Sequence, residues 1–144
     1  MIPWRVVPVV MLLSATTPAS AMADDAIDAP LTGRPGDPAR GERLVADRPK
    51  SLCTLCHTGP FPAPHLHGSI APDLAGVGRR LTEGQIRLRV ADMKRLNPAS
   101  IMPAYGRPAD DDPQRRVAAA WRGRPILDDG EIEDLVAYLV TLKE

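Results

Sequence analysis

The residues with the most specific chemistry form one short run, Cys53-Thr54-Leu55-Cys56-His57. Two cysteines with two residues between them, followed at once by histidine, form the attachment motif for c-type haem. The spacing lets each thiol add across one vinyl group at the same porphyrin edge, and the histidine then reaches the iron. The run therefore predicts one covalently attached haem c, with Cys53 and Cys56 as attachment points and His57 as the proximal iron ligand.

Other interpretations of the two cysteines have less support. A thioredoxin-like redox pair requires a surrounding βαβ pattern, and the sequence shows none. A structural zinc site requires four ligands, whereas the whole chain contains 2 Cys and 3 His. A local disulfide is the simplest alternative in an exported protein. The haem interpretation is favoured because the motif occurs together with an export signal and with the helical features described below.

Residues 1–23 have the organisation of a secretory signal peptide. Arg5 supplies the positive charge, residues 6–13 are mainly apolar, and small-residue cleavage sites end at Ala21 and at Ala23. The choice between these two cleavage points stays open. The apolar run is too short to span a bilayer, so we expect a periplasmic protein with no integral membrane span after cleavage. An uncleaved membrane anchor is the alternative.

Composition limits the remaining function classes. The chain has 144 residues, with 18 basic and 18 acidic side chains, and this neutral balance argues against nucleic acid as a partner. Aromatic residues make up 3 % of the chain, so a single domain of this size gains from a large apolar cofactor in its core. We expect residues 24–36 to form a flexible N-terminal segment and residues 37–144 to form one monohaem domain.

Two helices near the ends of that domain are predicted to pack together. The first begins after Asp37 as N-cap, and Gly41 within it is typical of a close approach by another element. The last begins after Asp128, and Tyr138 is expected opposite Gly41. Its apolar stripe has helical spacing and consists of Ile132, Leu135, Val136, Leu139 and Val140.

A further helix is predicted between these two. It begins after Thr82 as N-cap and extends to about Leu96, where Asn97-Pro98 closes it. Its expected core-facing stripe consists of Ile86, Val90 and Met93. Its expected solvent-facing charges are Arg87, Lys94 and Arg95.

Met102 is the candidate for the second iron ligand. It lies between Pro98 and Pro103, which exclude a helix at this position and indicate a stiff extended loop. A thioether on such a loop, well after His57 in the chain, can close over the opposite haem face. Sulfur ligation favours Fe(II) over Fe(III) and raises the reduction potential. An ordinary buried methionine is the alternative.

Two further residues are predicted to support the haem. A backbone carbonyl near Pro72, in Ala71-Pro72-Asp73-Leu74, is a candidate acceptor for the Nδ1–H of His57, which would fix the orientation of the imidazole ring. The indole N–H of Trp121 is a candidate donor to a haem propionate, and packing alone is the alternative. His65 and His67 lie in the loop that follows the motif, and their roles stay open.

The order of these features resembles the class I cytochrome c family. The resemblance covers residues 37–142 and includes the helix with Gly41, the CxxCH motif, the loop methionine and a closing helix with Asp134-Leu135-Val136-Ala137-Tyr138-Leu139. It implies an all-α, single-domain class I cytochrome c fold that encloses one haem. It also implies that His57 and Met102 are the axial ligands.

A narrower resemblance is to SoxX subunits of the thiosulfate-oxidising system. It is carried by residues 67–78, by Asn97-Pro98 with Met102-Pro103-Ala104-Tyr105, and by residues 123–127 leading into residues 133–139. It implies a periplasmic complex with a haem-bearing SoxA subunit, which joins thiosulfate to a cysteine of the SoxYZ carrier. This chain would accept the electrons and would not be catalytic alone. A downstream cytochrome or oxidase would reoxidise it.

Two other functions compete with this interpretation. A free-standing cytochrome c that shuttles electrons between a periplasmic dehydrogenase and a terminal oxidase would be monomeric, with a charged docking face. A haem-based sensor or gas-binding protein would have a labile iron ligand in place of a fixed Met102. Carbon monoxide binding to the reduced protein would favour the sensor.

Overall fold

The described part of the chain is built from helices that surround one apolar core. The computed structural model describes residues 25–108 and 116–144, and this part contains no β-strand. Its α-helices are α1 (Pro38–Ala46), α2 (Arg48–Ser51), α3 (Cys53–Cys56), α4 (Val77–Arg80), α5 (Glu83–Asp92) and α6 (Asp129–Thr141). Single 3₁₀ turns lie at Pro64–Leu66, Met93–Arg95 and Ala119–Trp121. The prediction of an all-α fold is confirmed.

The three longest helices begin where their capping residues place them. The Asp37 carboxylate accepts backbone N–H groups of the first turn of α1. Reciprocal capping boxes join Thr82 with Gln85 at the start of α5 and Asp128 with Glu131 at the start of α6. Each cap satisfies N–H groups that have no partner inside the helix, and so fixes the first residue of the element.

Helices α1 and α6 cross in direct backbone contact. A Cβ atom built on Gly41 would lie 2.0 Å from the carbonyl oxygen of Asp134 and 2.8 Å from the Cβ of Tyr138. Glycine is therefore required at this crossing, and the predicted position of Tyr138 is confirmed. The crossing closes a core whose buried members include Val45, Ile86, Val90, Leu127, Ile132, Leu135, Val136 and Leu139.

Arg40 and Asp134 join the same two helices by a two-point ion pair. Arg40 Nε lies 2.6 Å from Asp134 Oδ2, and Nη2 lies 2.8 Å from Oδ1. The backbone N–H of Asp37 donates to the same carboxylate at 2.6 Å. The hydrogen bond from Arg40 is the largest cause that lowers the pKa of Asp134. The buried carboxylate is thus held ionised, with its oxygens satisfied.

The prediction that Arg87 faces solvent is wrong. Its side chain is fully buried, and its Nε donates to Glu133 Oε1 at 2.8 Å. Burial opposes the charge, but hydrogen bonds to Glu133 and Glu83 outweigh it and raise the pKa of Arg87. Helical spacing assigns a charged residue to the outside because an unpaired buried charge is costly. The compensating Glu133 lies far along the chain, where a local pattern cannot show it.

The N-terminal segment forms hydrogen bonds with α5 and α6. Ile27 N donates to the Gly84 carbonyl at 3.0 Å, and Leu31 N donates to Glu133 Oε1 at 2.9 Å. Arg87 binds the carbonyl oxygen of Ile27 at 2.7 Å, and both Ile27 and Leu31 pack against the core. Residues 27 and 31 are thus bonded to the helical part of the chain, which the composition of the segment does not indicate. The backbone carbonyl groups of Ile27 and Asp28 accept hydrogen bonds from the buried Arg87, which the polar composition of the segment does not indicate either.

The predicted apolar stripe of α5 holds for Ile86 and Val90 but not for Met93. The helix ends at Asp92, and the chain turns into a 3₁₀ helix over Met93–Arg95. Met93 is half-buried and lies outside the core. The change of helix type rotates it away from the direction that regular α-helical spacing predicts.

The predicted signal peptide, residues 1–23, lies outside the described residues. Among the residues that the structure describes, no helix combines the length and apolar character needed to cross a membrane.

Candidate haem site

A sharp backbone kink at Leu52 immediately precedes the first of the two cysteines. Leu52, between α2 and α3, has φ 62° and ψ 0°, which is the left-handed region that residues other than glycine rarely occupy. Cys53 and Cys56 form the two ends of α3, and His57 follows in extended conformation. Both cysteines are half-buried, unpaired thiols. Burial is the largest cause that raises the pKa of Cys53, so its thiol is protonated at neutral pH.

The His57 imidazole is oriented by the backbone. Its Nδ1 lies 2.6 Å from the carbonyl oxygen of Pro72, which lies within the stretch where an acceptor was expected. A carbonyl only accepts hydrogen bonds, so Nδ1 carries the proton and Nε2 keeps its lone pair. The loop that holds Pro72 is itself fixed, because Ala71 N donates to the Cys56 carbonyl at 3.0 Å. The imidazole is therefore prepared to bind a metal through Nε2.

The loop after His57 lies directly on α3. Gly68 N donates to the Thr54 carbonyl at 2.9 Å, and a Cβ on Gly68 would lie 1.9 Å from the Leu55 carbonyl oxygen. Only glycine allows this approach. His67, one residue earlier, has its Nε2 3.0 Å from the Pro62 carbonyl, whereas His65 is exposed. His67 thus contributes to the internal structure of the loop.

Met102 lies in a loop, as predicted, but the loop is bent and not extended, with a turn at Pro98 and Ala99 and a bend at Ile101 and Met102. The residue is half-buried and packs against the core. Its backbone N–H donates to Ser100 Oγ at 3.2 Å, and Lys94 Nζ donates to the Ser100 carbonyl at 3.0 Å. Further along the loop, Gly106 N donates to the Ala91 carbonyl at 3.0 Å. The loop is thus connected to the end of α5 at two places.

Tyr105 is the residue of this region to which sequence reasoning gave no role of its own. It is 3 % exposed, and its hydroxyl donates to the carbonyl oxygen of Ser51, the last residue of α2. Burial raises the pKa of Tyr105 well above its ordinary value, so the hydroxyl keeps its proton. A buried hydroxyl needs a partner. The sequence offered one signal for such a role: Tyr105 lies two residues after Pro103, in a chain with only 2 tyrosines.

Trp121 is placed on the surface. It ends the 3₁₀ turn Ala119–Trp121, and 61 % of its area is exposed. Packing within the chain is therefore not its role. Donation from its indole N–H to a haem propionate stays a prediction.

The residues present fit a c-type haem. Two unpaired thiols flank one turn of helix, as attachment to adjacent vinyl groups requires. The imidazole that follows has its Nδ1 occupied by Pro72 and its Nε2 available. The half-buried thioether of Met102 provides a second, softer donor on a separate loop.

Comparison with known proteins agrees with this chemistry. The family model for cytochrome c matches residues 38–143. The chain therefore belongs to the cytochrome c family, and this membership implies a covalently bound haem c.

The particular type of cytochrome c follows from comparison with a solved structure. A chain in the crystal structure of SoxXA from P. pantotrophus is 38 % identical to this chain, with a TM-score of 0.73. The match covers 83 % of this chain and 91 % of that chain. The search of curated proteins found no match. The chain is a SoxX-like class I cytochrome c and an electron-transfer protein.

Proposed function

We propose that this chain is the electron-accepting subunit of a periplasmic SoxAX-type complex, with His57 and Met102 as axial iron ligands. The observation that carries the proposal is the 38 % identity to a chain of SoxXA over 83 % of this chain. The narrower resemblance in sequence points to the same subunit. In such a complex, a SoxA-type partner joins thiosulfate oxidatively to a cysteine of the SoxYZ carrier, and the released electrons pass to this chain.

The cysteine content supports the assignment of electron transfer to this chain and of sulfur chemistry to its partners. The chain contains 2 Cys, and haem attachment uses both of them. It therefore has no thiolate left to ligate iron or to accept a sulfur atom from thiosulfate. The sulfur chemistry belongs to the partner proteins, and this chain contributes electron transfer.

The surroundings of the proposed ligands suit that role. When bound, the haem supplies a one-electron redox couple. The Pro72 carbonyl fixes the His57 ring, and Pro98 and Pro103 restrict the backbone on both sides of Met102. Rigid ligands reorganise little when the charge on the iron changes. The thioether favours the reduced state, which makes the site an electron acceptor.

The location of the protein is part of the proposal. The positive charge, apolar run and small-residue cleavage sites of residues 1–23 support export, and haem c attachment takes place on the far side of the bacterial inner membrane. The mature chain would then meet its partner and the SoxYZ carrier in the periplasm.

Reduction of the haem by thiosulfate tests the proposal. The purified mature protein should be reduced by thiosulfate only when a SoxA-type subunit and SoxYZ are both present, as followed by absorbance. Dithionite should reduce it in every mixture, which controls for an intact haem. Reduction by thiosulfate without the SoxA-type subunit would contradict the proposal, as would no reduction in the complete mixture. Efficient reduction by a periplasmic dehydrogenase alone would favour a free-standing carrier.

A further inference from the structure

The turn that carries the cysteines and the loop that carries Met102 meet at one backbone oxygen. Ser51 is fully buried and immediately precedes the kink at Leu52. Its carbonyl accepts the Tyr105 hydroxyl, from a residue that lies 54 positions further along the chain. Tyr105 is three residues after Met102. One side chain therefore joins the two segments that hold the proposed haem environment.

The turn at Leu52 needs support from outside itself. A residue with a side chain is disfavoured in the left-handed region, and such backbone persists when the surrounding structure holds it. The Ser51 side chain supplies part of that support, since its Oγ lies 3.3 Å from the Asp47 carbonyl and 3.4 Å from the Val45 carbonyl. The Tyr105 hydroxyl adds a hydrogen bond to the Ser51 carbonyl, from a distant part of the chain.

Haem attachment increases the importance of Tyr105. In the free-thiol state, Cys53 Sγ lies 3.7 Å from the Ser51 carbonyl and can donate to it weakly. Once attached to a haem vinyl group, Cys53 would be a thioether and would have no hydrogen to donate. Tyr105 then remains as the side-chain donor to this oxygen.

The other end of Tyr105 is also fixed. Leu127 N donates to the Tyr105 carbonyl at 3.0 Å, and the next residue, Gly106, donates to the Ala91 carbonyl at 3.0 Å. The backbone of the loop is thus attached on its far side to α5 and to the segment before α6. The Tyr105 side chain reaches from this anchored backbone to the cysteine turn.

We propose that Tyr105 is a positioning residue that locks the Met102 loop to the haem-attachment turn and so determines how readily Met102 leaves the iron. This inference rests on the proposed ligation by His57 and Met102. Its consequence is control of access: while the lock is intact, small exogenous ligands compete poorly with the thioether. Loss of the hydroxyl allows the loop to move without removing any iron ligand.

The test compares Tyr105→Phe with Tyr138→Phe in the haem-loaded protein. Each variant removes one hydroxyl, and Tyr138 lies on α6 against Gly41. We expect Tyr105→Phe to keep its covalent haem and to bind cyanide in the ferric state faster by a few-fold to about tenfold. Its ferric charge-transfer band from methionine ligation should weaken. Tyr138→Phe should match the unmodified protein.

Each other outcome has a defined meaning. An unchanged cyanide-binding rate in Tyr105→Phe would overturn the inference, and an equal increase in Tyr138→Phe would assign the effect to general destabilisation. Absence of the methionine band in the unmodified protein would refute the ligation itself and the inference with it. If Tyr105→Phe does not fold with its haem, the inference is also overturned, because the hydroxyl is then required for the fold itself and not for holding Met102 on the iron.

Discussion

The two proposed iron ligands are held in different ways. His57 is fixed by a short hydrogen bond from its own ring to the Pro72 carbonyl. Met102 has no comparable group on its thioether, and its position depends on the backbone of the loop. Ligand exchange should therefore take place on the Met102 side, while His57 stays bound.

Replacement of Met102 tests its assignment. We expect Met102→Ala to keep the covalent haem, because Cys53, Cys56 and His57 are unchanged. Its reduction potential should fall by an appreciable part of the roughly 0.8 V that axial ligands span. The reduced protein should also bind carbon monoxide. Potentiometric titration and absorbance spectra measure both effects.

The matched control is Met93→Ala, which removes another half-buried methionine in the 3₁₀ turn after α5. It should keep the original potential and spectrum. An unchanged potential in Met102→Ala would remove Met102 from the iron, and an equal loss in Met93→Ala would make the assignment unspecific.

Asp134 predicts a specific dependence of stability on pH. Its hydrogen bonds from Arg40 lower the pKa of the carboxyl in the folded state. The stabilisation is therefore complete above the ordinary carboxyl pKa, near pH 4, and is lost as the pH falls through the lower folded value. Asp134→Asn should reduce the free energy of unfolding by about 1–3 kcal/mol at neutral pH. Urea denaturation across a pH series measures this.

The difference between the unmodified protein and Asp134→Asn should shrink below about pH 4. If the difference stays constant down to pH 2, the charge of Asp134 is not what stabilises the crossing.

At the scale of elements, the α1–α6 crossing is the packing contact on which the domain depends most. The Gly41 site has no room for a methyl group, because the obstacle is the backbone of α6 at Asp134. Gly41→Ala must push the helices apart, and we expect a loss of about 1–3 kcal/mol in the free energy of unfolding. Thermal or chemical denaturation of the haem-loaded protein measures it.

Gly130→Ala is the control, since a Cβ there would meet only Asp128 Oδ1, at 3.3 Å. Gly130 lies in the first turn of α6, where alanine should leave stability unchanged or raise it by up to about 1 kcal/mol. Equal destabilisation by both substitutions would contradict close packing at Gly41 as the specific cause, since helix propensity favours alanine over glycine at both positions.

Local signals explain which elements could be predicted. The starts of α1, α5 and α6 were predicted because a capping side chain acts within three residues of its own position. The single-turn helices α2, α3 and α4 were not, because four residues carry no helical periodicity. The buried state of Arg87 was missed for a related reason, since Glu133 and the carbonyl of Ile27 come from distant parts of the chain.

Some residues of the candidate site could be predicted from the sequence, and others could be found only in the folded structure. The CxxCH motif and the proline-bounded Met102 identify themselves by type and spacing, and the contact between Pro72 and His57 follows from the need to orient an imidazole. The bond from Tyr105 to Ser51 joins residues that only the folded chain brings together. Sequence patterns show the groups that do the chemistry, whereas the groups that hold them become visible in three dimensions.

At the scale of the whole molecule, the chain is a SoxX-like cytochrome c whose similarity to a chain of SoxXA extends over most of its length. Its acidic and basic residues balance at 18 each, so long-range electrostatic steering would add little to partner recognition. A stable complex is therefore a better match to this chain than transient docking by charge. The proposed role as an electron-accepting subunit requires that complex to exist.

The most direct measurement is affinity purification of the mature protein from its native periplasm after growth on thiosulfate, followed by haem staining of a denaturing gel. We expect two haem-stained bands in constant proportion, one from this chain and one from a SoxA-type subunit. A single stained band near the mass of this chain would contradict the complex and favour a free-standing carrier. An unstained band would contradict covalent haem attachment itself.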